Sequence, residues 1–176
     1  ALLRMLAGAW PPPSKGCIGP GLPGSGVLLL GSGGFSLPPY ATLRNCLAYP
    51  ETIGAFDEDL QEALVLCGLA QLASRLDEEA EWPSQLAPSD RQRLVFARLV
   101  ARWPAGVRWL FLDDADSALD GSAARSLHER LASKAPDSCG IAVTSRHPEV
   151  FQQHGWRRFF IVAATRTLEE QPERTE

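Results

Sequence analysis

Two adjacent carboxylates, Asp113 and Asp114, close the apolar run V-R-W-L-F-L (Val107 to Leu112). In open α/β sheets the ligand sits at the carboxyl ends of the strands, so side chains directly after such a run stand where chemistry occurs. Asp113 is placed to hold a magnesium ion, directly or through water. Asp114, pointing the other way, could orient an attacking water. D-D alone is more often a solvated acidic turn that caps the next helix. What shifts that balance is S-A-L-D (Ser117 to Asp120), which follows at once. Upstream, L-A-P-S-D-R-Q-R-L-V-F-A-R (Leu86 to Arg98) reads as a turn feeding an arginine-rich helix, 10 residues before Trp109. Downstream, S-R-H-P (Ser145 to Pro148) places His147 just past another apolar run; a lone histidine there is usually a surface polar group.

These residues need a sheet to position them. Val107 to Leu112 shows no alternation, so both faces are expected to be buried, as in the centre of a parallel sheet. Val27 to Leu30 and Gly140 to Thr144 read as further buried strands, and Arg158 to Val162 as a third with a helical turn before it. Gly121 to Ala135 is an amphipathic helix stopped by Pro136. Asp57 to Leu76 carries Leu60, Leu64, Leu66, Cys67, Leu69 and Leu72 at helical spacing with acids in its first turn. Two or three short helices are expected across Asp57 to Trp103. Thr42 is placed to cap a short helix that Pro50 ends. Ala1 to Gly8 reads as the last turns of a helix that starts further upstream. Trp10 to Gly26 and Gly31 to Ala41 read as loops, and Thr165 to Glu176 as a frayed polar tail. Strands alternating with helices imply an α/β fold with a parallel sheet. The expected division is one domain over 1–164, a helical subdomain at about 57–103 within it, and a tail over 165–176.

With 176 residues, 45% of them hydrophobic, the chain can bury a core of its own. A formal net charge of −4, from 17 basic and 21 acidic side chains, argues against a nucleic-acid binder that relies on a broad positive field. Cys17, Cys46, Cys67 and Cys139 have neither C-x-x-C spacing nor a histidine at metal-motif distance, so they read as ordinary reduced thiols. No apolar run approaches the roughly 20 residues needed to cross a bilayer.

Taken in order, these blocks resemble the nucleotide-binding domain of ATP-binding cassette (ABC) transporters. Leu86 to Arg98 is similar to the signature motif and its helix, with Gln92, Arg93, Ala97 and Arg98 keeping Q-R-x-x-x-A-R. Trp109 to Asp114 is similar to the Walker B strand, and Ser117 to Asp120 matches the D-loop. Trp82, ahead of the signature, and T-L-R-N-C-L-A-Y-P (Thr42 to Pro50) resemble the fatty-acyl transporter subfamily D and its bacterial relatives. The resemblance implies a P-loop NTPase-like α/β fold, a parallel sheet flanked by helices with a helical subdomain. It implies ATP and Mg2+ as cofactors and two partners, a second nucleotide-binding domain and a transmembrane domain. The latter would hold the chain on the cytosolic face of a membrane. By resemblance Asp113 is the magnesium residue, Asp114 the water-orienting carboxylate and His147 the switch histidine that contacts the γ-phosphate. Ala87, Pro88, Ser89 and Asp90 form the signature given to the partner, Asp120 belongs to the loop that crosses the dimer interface, and Ser32 stands near the nucleotide-sensing glutamine. His128 and His154 match no motif and read as a solvated helix position and a turn residue.

The sequence also departs from that family. The phosphate loop G-x-x-x-x-G-K-[ST] is absent: Lys15 lies in P-P-P-S-K-G, and neither G-L-P-G-S-G (Gly21 to Gly26) nor G-S-G-G (Gly31 to Gly34) carries a lysine. The signature L-S-x-G-E reads Leu86-Ala87-Pro88-Ser89-Asp90, so the serine hydroxyl is lost at Ala87 and a glycine at Ser89. Backbone N–H groups at this helix start still offer themselves to an anion. Asp114 replaces a catalytic glutamate and is one methylene shorter, and misplacement by about 1 Å can cost on the order of a hundredfold in rate. The nucleotide-sensing glutamine falls at Ser32 or a neighbour in a loop about two residues longer than usual. The expectation is a nucleotide-binding-domain portion lacking the phosphate-loop region and degenerate at its site. Its rival is a non-catalytic module that binds a partner subunit. A soluble ABC protein of the DNA-repair kind ranks lower, because Trp82 and Thr42 to Pro50 weigh against it.

Overall fold

In the computed structural model the described residues are 3, 7, 26–32, 37–48, 56–101, 103, 105–147, 159–162 and 167–170. The expectations for most of Ala1 to Ser25, for Gly33 to Ser36, for Pro50 and for His154 fall outside them.

The sheet that carries the carboxylates has three parallel strands, β1 (Val27–Gly31), β4 (Trp109–Asp113) and β5 (Gly140–Thr144), in the order β1-β4-β5. Its register sets Gly31, Asp113 and Thr144 in one row at the carboxyl edge. The central strand is covered on both faces, as its unbroken apolar run predicts: Leu110, Phe111 and Leu112 are each at most 1% exposed. Successive side chains alternate faces. Leu110 and Leu112 join the main core, while Phe111 stacks obliquely with Trp109 at 6.0 Å. The flanking strands are less covered than expected. Only Leu30 is fully buried in β1, and every residue of β5 is half-buried, because both lie at the edges of the described sheet. Gly140 is required by the Trp109 ring, which lies where a Cβ would sit, with ring carbons 2.5 to 2.8 Å away.

The other elements are β2 (Ala41–Thr42), α1 (Leu43–Ala48), α2 (Asp57–Leu66), a 3₁₀ turn (Ala70–Arg75), β3 (Glu79–Ala80), α3 (Trp82–Gln85), α4 (Pro88–Ala101) and α5 (Gly121–Lys134). Thr42 caps α1 as expected, its Oγ1 accepting from Asn45 N–H at 3.2 Å. The stretch Asp57 to Trp103 holds three α-helices and the 3₁₀ turn, and it includes a strand not foreseen. That strand, β3, pairs antiparallel with β2. Trp82, fully buried, donates from Nε1 to the Ala41 carbonyl at 2.9 Å, and the Arg75 guanidinium lies 4.9 Å over its ring. Thus Trp82 ties the helical block to the segment before α1. Arg44 of α1 bonds both Asp57 and Asp77, 2.5 and 2.9 Å away.

α4 starts on Pro88, where a missing N–H costs nothing. It buries Gln92 and the run Leu94 to Val100. α5 buries Ala124, Leu127, His128 and Leu131, one helical stripe, and ends at Lys134 ahead of Pro136. One apolar cluster joins Leu30, Leu110 and Leu112 of the sheet to Leu94, Phe96, Leu127 and Leu131 of these helices and to Leu60, Leu64 and Trp82.

Two expectations at the C-terminal end are corrected. β6 (Phe159–Val162) is a strand but not part of the parallel sheet, and the supposed frayed tail contains β7 (Thr167–Glu170). The two pair antiparallel with each other. T-L-E-E lacks an apolar pattern, so only its pairing partner reveals it as a strand.

Candidate functional site

The site is built on the row Gly31, Asp113 and Thr144, followed at the same edge by Ser32, Asp114 and Ser145. Asp113 is buried, and its Oδ1 accepts from Thr144 Oγ1 at 2.9 Å. Asp114 turns the chain sharply. Its φ is +54°, a left-handed conformation that aspartate tolerates better than most residues, and its N–H donates to the Thr144 carbonyl at 3.0 Å and to Thr144 Oγ1 at 3.2 Å. Thr144 therefore grips both carboxylate-bearing residues, a role that sequence reasoning missed.

The loop from Asp114 to Asp120 is fixed from three sides. Gln92, one turn into α4, is 5% exposed. Its Oε1 accepts from Ala118 N–H at 2.8 Å, and its Nε2 donates to Ser117 Oγ at 3.0 Å and to the Ser32 carbonyl at 3.3 Å. One amide thus joins the helix start, the loop after β4 and the loop after β1. Asp120 ends the loop as the N-cap of α5, its Oδ1 accepting from Ala123 N–H at 2.9 Å, and this backbone bond holds its carboxyl below the usual range. His147 closes the third side, with Nε2 2.9 Å from the Leu119 carbonyl. A carbonyl only accepts, so Nε2 carries the proton.

His128 is not a solvated helix position. It is 2% exposed, with its ring edge-on to Phe96 at 5.2 Å and its Nε2 3.1 Å from Oδ2 of Asp116. Asp116, 1% exposed, also accepts from Ser145 Oγ at 2.5 Å. Burial alone would raise its carboxyl, but the bonds from His128 and Ser145 outweigh that and hold it below the ordinary aspartate value. An acidic residue three places past a strand end and a histidine on the next helix's apolar stripe were the available signals. The histidine's position in the α5 stripe Ala124, Leu127, His128, Leu131 would have marked it as inward-facing.

Ala87 to Asp90 form the start of α4. The Ala87 carbonyl accepts from Arg91 N–H at 3.0 Å, so Ala87 is the helix cap without a capping side chain. Pro88 has no N–H, and Asp90 adds a carboxylate to the first turn. The start therefore offers an anion fewer donors than an unbroken helix terminus would, and places a negative charge beside them.

Magnesium and ATP can be tested against this donor set. No group of three or more His, Cys, Asp or Glu side chains suited to a metal occurs among the described residues, so Asp113 offers one carboxylate whose Oδ1 already accepts from Thr144. Magnesium at such a site needs water and phosphate oxygens for most of its shell. The sequence supplies no lysine-bearing phosphate loop to bring them. The residues present do not by themselves fit Mg2+ with ATP. A hollow of about 390 Å³ lies beside Asp120, between the end of α2, α4 and the start of α5, lined by Gly68, Arg93 and Arg130 among others. The buried thiols are inert by environment: desolvation raises Cys46 and pushes Cys67 up to about 12.

No protein-family model matches the chain. Among individual proteins it is 33% identical over 106 residues to the inner membrane ABC transporter ATP-binding protein YddA of Escherichia coli, covering 60% of this chain and 18% of that protein. It is 35% identical over 136 residues to the human lysosomal cobalamin transporter ABCD4, covering 68% of this chain and 21% of the other. With ABC transporter D family member 1 of Arabidopsis thaliana it shares 31% over 163 residues, 84% of this chain and 11% of that one. The chain thus spans about a fifth or less of the length of these relatives. Among solved structures, an inward-facing putative metal-chelate type ABC transporter aligns with a TM-score of 0.61 at 18% identity, covering 98% of this chain and 67% of that one. A bacterial Atm1-family ABC exporter with ATP bound aligns with a TM-score of 0.55 at 21% identity, covering 72% and 22%. These structural likenesses establish the shared P-loop NTPase-like α/β fold, and the sequence relatives show that the chain is homologous to a part of the ATP-binding proteins of ABC transporters.

Proposed function

We propose that the chain is a portion of an ABC transporter nucleotide-binding domain, comprising 1–164 with a helical subdomain at about 57–103. In the intact protein it would help couple ATP binding and hydrolysis to transport across a membrane. The observation that carries this reading is the Gln92 amide, which joins the signature helix to the loops after β1 and β4 at the carboxyl edge of the sheet. In this reading, and only once a longer protein supplies a phosphate loop, Asp113 would face the magnesium, Asp114 the attacking water and His147 the γ-phosphate. Ala87 to Asp90 and Asp120 face a second nucleotide-binding domain, and the helical block meets a transmembrane domain on the cytosolic side.

The second reading, a non-catalytic module that binds a partner subunit, is favoured by one set of observations. The helix start has no N–H at Pro88 and no capping hydroxyl at Ala87, and Asp114 is both short and left-handed. Both readings expect the 176-residue chain alone to show no micromolar binding of MgATP by titration calorimetry; such binding would overturn the donor-set argument. The encoding gene separates them. A strand and G-x-x-x-x-G-K-[ST] ahead of Ala1 support the transporter ATPase, with turnover of that longer protein falling on Asp113→Asn. A longer protein without such a loop leaves the interaction module.

A further inference from the structure

Asp116 and His128 form a buried polar pair that no role proposed above uses. Burying a carboxylate is costly unless its oxygens are satisfied; Oδ1 has no partner among the described residues, whereas Oδ2 is shared by two donors on two elements, His128 Nε2 from α5 and Ser145 Oγ from the end of β5. The chain of bonds continues. Ser145 Oγ accepts from His147 N–H at 2.9 Å, His147 Nε2–H reaches the Leu119 carbonyl at 2.9 Å, and Leu119 N–H returns to the Asp116 carbonyl at 2.9 Å. The path is a closed circuit through Asp116, Ser145, His147 and Leu119. Each link fixes the next. Ser145 can serve His147 N–H as acceptor because its own proton is committed to Asp116, and Asp116 is held in place by His128, which is wedged against Phe96 of α4.

We propose that Asp116 is a positioning residue for His147: acting through Ser145, it holds the His147 backbone so that the imidazole stays in its Nε2–H form against the Leu119 carbonyl, locking the end of β5 to the loop between β4 and α5. The placement rests on His147 being the residue that reads the phosphate, but the lock itself does not. Two consequences follow for the site. The two segments move as one body, and His147 Nε2 must leave a carbonyl before it can donate elsewhere.

The test is carried out on the full chain without nucleotide, so that its failure is distinct from a failure to bind ATP. Nitrogen-15 NMR reads the His147 ring tautomer, and hydrogen exchange reads the His147 and Leu119 amides. Ser145→Ala is expected to speed His147 amide exchange tenfold or more and to shift the ring toward a mixture of tautomers. Asp116→Ala is expected to do the same, whereas Asp116→Asn, whose Oδ1 can still accept from Ser145, is expected to retain the native tautomer. If Asp116→Ala does not fold, Ser145→Ala decides alone. Unchanged exchange and tautomer in Ser145→Ala, or an Asp116→Asn as disruptive at His147 as Asp116→Ala, overturns the proposal.

Discussion

Gln92 is the position at which the arrangement of the site is most economically challenged. Its two amide ends do different work: Oε1 accepts one backbone N–H, from Ala118, while Nε2 donates to the Ser117 hydroxyl and the Ser32 carbonyl. Each neutral hydrogen bond contributes about 1 kcal/mol net. The 3.3 Å contact is long for such a bond and counts for less. Gln92→Ala removes all three, but Ala118 is exposed and its N–H can turn to water, so a loss of about 2 kcal/mol is expected. Gln92→Glu separates the ends. The carboxylate still accepts from Ala118 N–H and can accept the Ser117 hydroxyl proton, but it faces the Ser32 carbonyl with an acceptor instead of a donor. A loss of about 1 to 2 kcal/mol is expected from that mismatch, partly offset by the retained bonds. Urea unfolding read by tryptophan fluorescence measures both. Hydrogen exchange at Ala118 should rise in Gln92→Ala and stay near native in Gln92→Glu. A Gln92→Ala loss below about 1 kcal/mol, or equal Ala118 exchange in the two variants, would refute the claim that this amide clamps the loop.

Trp82→Phe keeps most of the buried ring but removes the donor to the Ala41 carbonyl, and it should cost about 1 to 2 kcal/mol in urea unfolding; no measurable loss would show that the indole bond contributes nothing. The carboxyl of Asp116 is depressed in the folded chain, so its contribution is complete above the unfolded aspartate value near ~3.9 and is lost as pH falls through the lower folded value. His128 is the titratable group facing it. Thermal unfolding from pH 6 downward should therefore fall less steeply in Asp116→Asn than in the native chain, and parallel curves would sink this assignment.

The parts of the fold legible in the sequence were those that depend on local pattern. The unalternating run before Asp113 announced a strand covered on both faces, Thr42 announced its cap, and Pro136 announced the end of α5. What escaped depends on long-range pairing. Glu79 and Ala80 form a strand because Ala41 and Thr42 lie beside them, and Thr167 to Glu170 because Phe159 to Val162 does. At the site, the strand-end carboxylates and His147 were visible from type and order, since topology puts strand ends together. The grip of Thr144 and the burial of His128 and Asp116 were not, because a threonine, a histidine or an aspartate has no characteristic spacing when its partner is 30, 12 or 29 residues away.

The left-handed backbone at Asp114 limits which side chains the turn after β4 accepts. Left-handed φ is tolerated by glycine, asparagine and aspartate and resisted by side chains with more bulk near the backbone. Asp114→Glu would lengthen the side chain by one methylene and would meet a conformational penalty from the chain path itself. A bulkier residue there would need the turn gripped by Thr144 to relax at the same time, so the residue at 114 and the end of β5 are coupled and a single substitution at either strains the other.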